Sequence, residues 1–384
     1  MELDVLIVGA GPAGSFAAHL LARRGVRVAL LDKVRFPREK PCGGALSRKA
    51  LDLIEFDLSP VVHARVTGAW LTHGDAAVCR DVGGIAAAMT TRTEFDAYLL
   101  DHAVASGAQF HPGAAVTDVD ARDDSVVVRT TRGEFRARYL LAADGVASAV
   151  RTRVFGKQLV EYAPAIEALV YAPPQALAHF AERALLDVAG MPHGYGWIFP
   201  KRDHLNAGVF SIFGAGGVRA HLAAFLARHP PLARYERIRY LGHPIPLRNV
   251  ADTYERRRVW LLGDAAGLAE AVLGEGIYFA LKSAELAARA FAAAAGSPRV
   301  GDYTRLLKRE LLPQLGAATR LARLCYAHQR FVFDRIARSP YASRLFLGLV
   351  TGEVGYRECL VKSIATMPWW LAAPRTPVMA AAAV

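Results

Sequence analysis

The sequence is poor in cysteine, and its cysteines are widely spaced. Cys42, Cys79, Cys325 and Cys359 form no CxxC pair in the 384 residues. Zinc sites and iron–sulfur clusters use closely spaced cysteines, so the sequence predicts no metal centre. Unpaired thiols are typical of a reducing compartment, which favours a cytoplasmic location.

The sequence also lacks a long hydrophobic run. A membrane-spanning helix needs roughly 18 to 20 consecutive apolar residues, and no stretch reaches that length. The N-terminus has Glu2 and Asp4 where a signal peptide would have basic residues. Residues 360–373 contain Pro368-Trp369-Trp370 and leave two interpretations open, a buried C-terminal helix or a helix in a membrane interface. A peripheral membrane contact is therefore compatible with the predicted cytoplasmic location.

Low-complexity segments and internal repeats are absent as well. Charged residues make up 21% and apolar residues 53% of the chain, which predicts a large globular protein and excludes a disordered one. The 47 Lys and Arg residues exceed the 35 acidic ones, and the net charge of +12 favours anionic partners. No nucleic-acid-binding module or basic stripe with interleaved aromatics is present, so we expect no nucleic-acid partner.

The start of the chain contains a glycine-rich turn between two predicted strands. Residues 4–8 are apolar, and Gly9-Ala10-Gly11-Pro12-Ala13-Gly14 follows. A helical segment then ends at Gly25, and residues 26–31 form a second apolar strand. That strand ends at Asp32, about 20 residues beyond the glycines, as the dinucleotide-binding fingerprint requires.

Each position in this turn has a chemical reason. Gly9 permits the tight turn, Gly11 lets the backbone approach a pyrophosphate, and Gly14 lets helix and strand pack closely. Free N–H groups at the start of the helix bind phosphates, and Asp32 accepts hydrogen bonds from ribose hydroxyls. The predicted dinucleotide-binding residues of this unit are Gly9, Gly11, Pro12, Ala13, Gly14, Asp32 and Lys33.

Two later elements separate the chain from a simple NAD-dependent dehydrogenase. The apolar residues 139–141 lead to Asp144-Gly145, and a second apolar strand ends at Gly263-Asp264. A carboxylate on such a turn can bind the ribityl hydroxyls of a flavin, although an ordinary Asp-Gly turn stays open for Asp144. Gly274-Glu275-Gly276 then starts a helix whose N–H groups can stabilise negative charge on a reduced flavin. The sequence therefore predicts FAD as cofactor, bound in this part of the chain by Asp144, Gly145, Gly263, Asp264, Gly274, Gly276 and Ile277.

This order of motifs resembles the para-hydroxybenzoate hydroxylase-like flavoprotein superfamily, from residue 2 to near residue 295. Arg92 matches the arginine that such proteins carry at the head of a helix near the flavin, and a surface salt-bridging role for it stays open. The resemblance implies an α/β fold in which an antiparallel β-sheet substrate domain interrupts a Rossmann-like FAD-binding domain, with a helical C-terminal region. The predicted boundaries are 1–60, 91–160 and 245–298 for the FAD-binding domain, 61–90 and 161–244 for the substrate domain, and 299–384 for the helical region.

Between the flavin elements, a short segment framed by Pro192 and Pro200 has alternating aromatic residues. Tyr195, Trp197 and Phe199 point to the same face if this segment is a strand. That apolar face suits a long hydrocarbon lying against a flavin. Periodicity alone equally allows an aromatic core.

Residues 192–200 resemble the PxxYxWxFP signature of the geranylgeranyl reductases, and residues 36–44 resemble that family's FPRxKxCGG segment. The resemblance implies a flavoenzyme that reduces isolated C=C bonds of prenyl chains, with hydride from reduced FAD, in substrates such as geranylgeranyl diphosphate or menaquinone. It implies that Cys42, Gly43 and Gly44 lie near the isoalloxazine and that the three aromatic residues line the lipid cavity. Cys42 is either a proton donor or a small buried hydrophobe. The sequence leaves the electron donor open, because FAD occupies the one visible fingerprint. NADPH that binds transiently beside the flavin and ferredoxin are the two alternatives.

Two other functions stay open. An FAD-dependent aromatic monooxygenase would have similar FAD elements, and only residues 40–44 and 192–200 argue against it. An electron-transfer flavoprotein that reduces a membrane quinone is the second alternative, and related proteins of that kind carry an iron–sulfur centre that this sequence does not predict.

Overall fold

The computed structural model describes residues 3–156, 160–214, 216–232, 234–249, 252–372 and 379–380. The chain divides into two compact units. Unit 1 comprises Met1–Lys40, Arg92–Tyr162 and Ile245–Leu315, and unit 2 comprises Pro41–Thr91, Ala163–Pro244 and Gly316–Val384. The domain boundaries given above stay predictions.

The strands of the described residues are numbered in chain order. They are β1 Leu3–Val8, β2 Val28–Asp32, β3 Ala45–Ser47, β4 Ala64–Val66, β5 Gly68–His73, β6 Ala76–Asp81, β7 Ala87–Met89, β8 Gln109–Pro112, β9 Val116–Ala121, β10 Val126–Thr130, β11 Gly133–Ala142, β12 Val160–Tyr171, β13 Arg183–Asp187, β14 Gly194–Pro200, β15 Leu205–Ser211, β16 Arg237–Asn249, β17 Glu255–Arg256, β18 Val259–Leu261 and β19 Met379–Ala380.

The helices are numbered in the same way. They are α1 Pro12–Ala22, α2 Arg48–Leu51, α3 Arg92–Ala105, α4 Ala149–Phe155, α5 Pro174–His179, α6 Val218–Arg228, α7 Ile277–Ala293, α8 Asp302–Leu306, α9 Leu312–Ala327, α10 Gln329–Arg338, α11 Pro340–Thr351 and α12 Tyr356–Ala372. Ser59–Val61, Pro230–Leu232 and Gly263–Ala266 form single 3₁₀ turns, and Leu307–Leu311 is a π-helical turn.

Unit 1 is built on a sheet with the strand order β17-β18-β11-β1-β2-β8. Strand β1 lies at its centre, parallel to β2 and β11, with Val5 paired to Val28 on one side and Tyr139 on the other. The side chains of Val5, Leu6 and Ile7 are fully buried, as is typical of a parallel strand covered on both faces. Helix α1 packs against α3 and α7. This arrangement confirms the Rossmann-like fold predicted from the sequence.

Unit 2 contains a separate sheet with the order β16-β12-β15-β14-β13-β5-β6-β19. Neighbouring strands pair antiparallel at β12–β15, β15–β14, β14–β13 and β5–β6, whereas β13 and β5 run parallel. Phe180, Met191, Leu205 and Phe225 form part of a buried cluster on one face. The predicted antiparallel sheet is therefore confirmed, and β13–β5 is a parallel pair within it.

The C-terminal region is helical, as predicted, and α10, α11 and α12 pack on one another in sequence. Gln329 Nε2 donates hydrogen bonds to the carbonyl groups of Val188, Met191 and Gly194. These bonds fix the start of α10 against the loop that enters β14. None of the helices within the described residues is long and apolar enough to cross a membrane. Ala373, the last residue of the stretch considered for membrane contact, lies outside the described residues.

Candidate functional site

The glycine-rich turn after β1 leaves no room for a side chain at Gly9 or Gly14. Gly9 has φ of +101°, and a Cβ built there would lie 2.2 Å from the carbonyl oxygen of Ala143. A Cβ on Gly14 would lie 1.8 Å from the carbonyl oxygen of Gly9. The turn therefore brings the start of α1 against the end of β11, and α1 begins with free N–H groups because no side chain caps it.

Asp32 lies at the end of β2 beside this turn, and its side chain is buried. Its carboxylate accepts hydrogen bonds from the backbone N–H groups of Ala10, at 2.7 Å, and Val34, at 3.0 Å. A carboxylate has about four acceptor positions, so capacity remains for a ribose hydroxyl. The neighbouring Lys33 is exposed.

Two arginine side chains face Gly11. Arg92, the first residue of α3, is buried and makes a bidentate ion pair with Asp96 at 2.6 and 2.7 Å. Arg38 Nη2 lies 2.9 Å from the same carboxylate. The Nη2 atoms of Arg38 and Arg92 lie 3.6 and 3.7 Å from a Cβ built on Gly11.

Arg38 also carries a buried donor that is not used within this cluster. Arg38 Nη1 is buried, and no hydrogen-bond partner for it is found among the described residues. An unsatisfied buried donor is costly. This donor lies near the backbone of Gly11, the Arg92 guanidinium and the free N-terminus of α1. Together these groups fit the oxygen atoms of a pyrophosphate. Sequence reasoning did not select Arg38, although it lies in the segment of residues 36–44 that carried the family resemblance.

Arg151 connects the Asp144-Gly145 turn to the Gly263-Asp264 turn by hydrogen bonds. Its guanidinium donates hydrogen bonds of 2.7 Å to the carbonyl groups of Ala265 and Val146. Asp144 accepts hydrogen bonds from the Ser148 hydroxyl and the N–H of Val150, so it also caps α4. Burial raises the pKa of the Asp144 carboxyl, while these hydrogen bonds oppose the rise. Gly145 follows with φ of +80°.

Gly263 and Asp264 form the other turn. A Cβ on Gly263, where φ is +52°, would lie 3.2 Å from the Cβ atoms of Ala13 and Ala280, so α1 and α7 both approach this turn closely. Lys40 Nζ donates a hydrogen bond of 3.0 Å to Asp264 Oδ2. Asp264 Oδ1 lies 3.5 Å from a Cβ built on Gly276, the residue that precedes α7. The predicted residues Gly263, Asp264 and Gly276 are thus brought together.

Glu270 shapes the loop that leads into α7. Its side chain is buried, and its carboxylate accepts hydrogen bonds from the backbone N–H groups of Val272, Leu273 and Glu275 at 2.6, 2.7 and 3.0 Å. Gly274 completes the loop with φ of +68°. Sequence reasoning missed Glu270 because nothing in the local pattern distinguishes it from a surface glutamate.

In unit 2 the three predicted aromatic residues form a row along β14. The ring centroids of Tyr195 and Trp197 lie 6.1 Å apart, and those of Trp197 and Phe199 also lie 6.1 Å apart. Trp197 Nε1 donates a hydrogen bond of 2.8 Å to Asn206 Oδ1. Gly208 leaves space for the indole, since a Cβ there would lie 2.2 Å from it. The Trp197 indole is therefore fixed in one orientation.

The segment of Cys42, Gly43 and Gly44 lies against this row. A Cβ on Gly43 would be 3.0 Å from the Phe199 ring and 3.3 Å from Trp197 Nε1. Gly44 has φ of +62°, and its N–H contacts the Cys42 sulfur at 3.4 Å. The structure thus brings together two motifs that lie far apart in the sequence.

Two charged side chains that sequence reasoning missed contact the same segment. Glu167 on β12 is buried and accepts a hydrogen bond of 3.1 Å from the N–H of Cys42. Lys201, directly after β14, donates hydrogen bonds to the carbonyl groups of Gly43 and Gly44. The sequence offered one signal for Lys201, which is its position directly after the aromatic motif. The motif ends at Pro200 and does not include Lys201.

Comparisons with known proteins agree on the cofactor and the fold. Residues 2–162 match the family model described as an FAD binding domain. The chain is 30% identical over 333 residues to the geranylgeranyl diphosphate reductase of Rhodobacter capsulatus, covering 84% of this chain and 83% of that protein.

Two solved structures share the fold. A geranylgeranyl bacteriochlorophyll reductase-like protein from Thermoplasma acidophilum has a TM-score of 0.74 and 21% identity, covering 97% of this chain and 98% of that one. The flavin-dependent brominase Bmp2 has a TM-score of 0.75 and 19% identity, covering 96% of this chain and 99% of that one. The fold is therefore common to proteins with different chemistry, and the reaction has to be argued from the site.

Proposed function

This chain belongs to the geranylgeranyl reductase family of FAD-dependent oxidoreductases, and we propose that it saturates C=C bonds of a prenyl chain. FAD is its cofactor, and reduced FAD supplies a hydride when it is bound. The proposed substrates carry a geranylgeranyl-type chain, as a diphosphate or as the side chain of a lipid or quinone.

The observation that carries the proposal is the aromatic row against the Cys42–Gly44 segment. Tyr195 and Trp197 are each 6% exposed, so their rings form apolar surfaces from which water is largely excluded. An isolated alkene carries no polar group for the protein to bind, so its position depends on such surfaces. Close positioning in a dry site supplies much of the rate for an unactivated acceptor.

In this proposal the residues of unit 1 bind FAD. Arg38, Arg92 and the glycine-rich turn hold the pyrophosphate, and Asp32 beside Lys33 holds the adenosine end. Asp144, Gly145, Gly263 and Asp264 hold the ribityl chain. The loop before α7 stabilises negative charge on the flavin through N–H groups at a helix start. The residues proposed for this role are Gly274 and Gly276 of the loop and Ile277, the first residue of α7.

Cys42 is the proposed source of the proton that the second alkene carbon needs. The thiol is partly buried, and the N–H of Gly44 holds the sulfur in place. The proposed electron donor is NADPH or ferredoxin, and a peripheral contact with the membrane would bring lipid substrates within reach.

An anaerobic single-turnover experiment tests the reaction. Photoreduced protein mixed with geranylgeranyl diphosphate in the absence of oxygen should yield products heavier by two hydrogen atoms for each saturated bond, as measured by mass spectrometry. An aromatic hydroxylase would give no product until oxygen is admitted. Flavin reoxidation by a quinone, with no change in the mass of the prenyl chain, would instead identify an electron-transfer flavoprotein.

Glu270→Gln should weaken FAD binding by about tenfold, because an amide replaces a charged acceptor that holds three backbone N–H groups of the loop before α7. The measurement is a fluorescence titration of the apoprotein with FAD. Glu236→Gln changes an exposed glutamate in the same way and should leave the affinity as it is. An unaltered affinity in Glu270→Gln would mean that the loop keeps its shape without the carboxylate.

A further inference from the structure

Lys201 is a charged side chain in an unusual place. It follows the aromatic row directly and is only 5% exposed. Its Nζ donates hydrogen bonds to the carbonyl oxygen atoms of Gly43, at 2.7 Å, and Gly44, at 3.1 Å. A lysine ammonium is strongly hydrated in water, so its burial is costly unless hydrogen bonds or opposite charges compensate for the lost water.

The surroundings of Lys201 change its pKa. Burial lowers the pKa of Lys201 to about 7, while the nearby Cys42 thiol and Glu167 carboxylate act to raise it. His204, at the edge of the same region, has its Nδ1 2.7 Å from Asp203. Burial lowers the pKa of His204, Asp203 opposes this, and Lys201 adds to the lowering because two cations repel each other. The charge of Lys201 thus depends on pH near neutrality.

Other hydrogen bonds also hold the Cys42–Gly44 segment. Glu167 holds the N–H of Cys42, and the carbonyl of Gly44 also accepts a hydrogen bond from the N–H of Thr90. Lys201 contacts two successive carbonyls of the segment. Gly43 sits directly against the Phe199 ring, so any movement of the segment alters its distance from the aromatic row.

We propose that Lys201 is a positioning residue, whose ammonium holds Cys42, Gly43 and Gly44 against the aromatic row. The inference rests on the proposed function, because the segment that Lys201 holds contains Cys42, the proposed proton donor. Only the charged form has three N–H donors and a full positive charge toward the carbonyls. The segment is therefore held best below the pKa of Lys201.

Backbone hydrogen exchange tests the contact without any substrate. In Lys201→Met, the peptide that contains residues 42–44 should exchange about tenfold faster, because the segment loses hydrogen bonds from a charged donor. Peptides from β14 and β15 should exchange at the rate of the wild type. Lys308→Met makes the same change at an exposed lysine and should leave the segment unaffected.

The pH dependence of turnover tests the charge. In the wild type, kcat should fall as the pH rises through about 7, where Lys201 loses its proton. Lys201→Arg should restore slow exchange in the segment, and its kcat should stay level across this range because a guanidinium keeps its charge.

The outcomes separate the two proposals. Unaltered exchange at residues 42–44 in Lys201→Met would overturn the inference, and so would faster exchange throughout unit 2, which would mean that Lys201 only stabilises the sheet. A kcat that falls equally in Lys201→Arg would assign the pH dependence to another group and would also count against it. A wild type that saturates no prenyl chain, with local loosening in Lys201→Met, would contradict the proposed function while supporting the role of Lys201.

Discussion

Gly9→Ala should yield protein that contains no FAD and unfolds at a lower temperature than the wild type. A Cβ at this position would lie 2.2 Å from the oxygen and 2.5 Å from the carbon of the Ala143 carbonyl, and both atoms belong to the backbone of β11 and its turn. The φ of +101° adds strain for any residue with a side chain. The measurements are the flavin absorbance of the purified protein and its thermal unfolding.

Gly25→Ala is the matched control. Gly25 also has positive φ, of +77°, but a Cβ there meets nothing within 4 Å. We expect Gly25→Ala to cost roughly 1–2 kcal/mol of unfolding free energy from backbone strain and to keep its FAD. Gly9→Ala should lose the same unfolding free energy from strain. Overpacking should cost it at least about 1–3 kcal/mol in addition. Equal flavin content in the two variants would mean that the turn tolerates displacement of β11.

The elements that could be predicted from the sequence are those defined by local chemistry. The first strand was expected at residues 4–8 and runs from Leu3 to Val8, and the helix expected to start at Gly274-Glu275-Gly276 spans Ile277–Ala293. Glycine turns and continuous apolar runs mark such boundaries directly. The strand expected at 139–141 is only the buried end of Gly133–Ala142. Its other half alternates with charged residues and pairs with β10, so apolar content did not reveal it.

The parts of the site that escaped prediction depend on contacts between distant residues. The hydrogen bond from Lys201 to Gly43 joins residues 158 positions apart, and that from Cys42 to Glu167 joins residues 125 positions apart. A charged residue that is buried looks the same in sequence as one on the surface. The family motifs located the aromatic row and the cysteine segment, whereas the charges that hold them appear only in the folded chain.

Trp197→Ala should keep FAD bound and lose about 100-fold in kcat/KM for a prenyl substrate, because the alkene then lacks the surface that positions it. The substitution lies in unit 2, whereas most of the residues proposed to bind FAD lie in unit 1. The Trp197→Phe variant keeps an aromatic ring but loses the hydrogen bond to Asn206, and it should retain much of the activity. The measurements are flavin absorbance and the rate of prenyl saturation under anaerobic conditions.

Trp70→Ala separates this effect from a general loss of packing in the same sheet. Trp70 pairs with Leu185, which pairs with Ile198, so Trp70 lies on the face of the sheet opposite to Trp197. Replacing either tryptophan removes a large side chain and costs about 3–5 kcal/mol where it is well packed. If the row positions the substrate, Trp70→Ala lowers stability and spares kcat/KM, whereas Trp197→Ala lowers both. Similar losses of kcat/KM in the two variants would mean that the aromatic row is only a core, as its periodicity alone allowed.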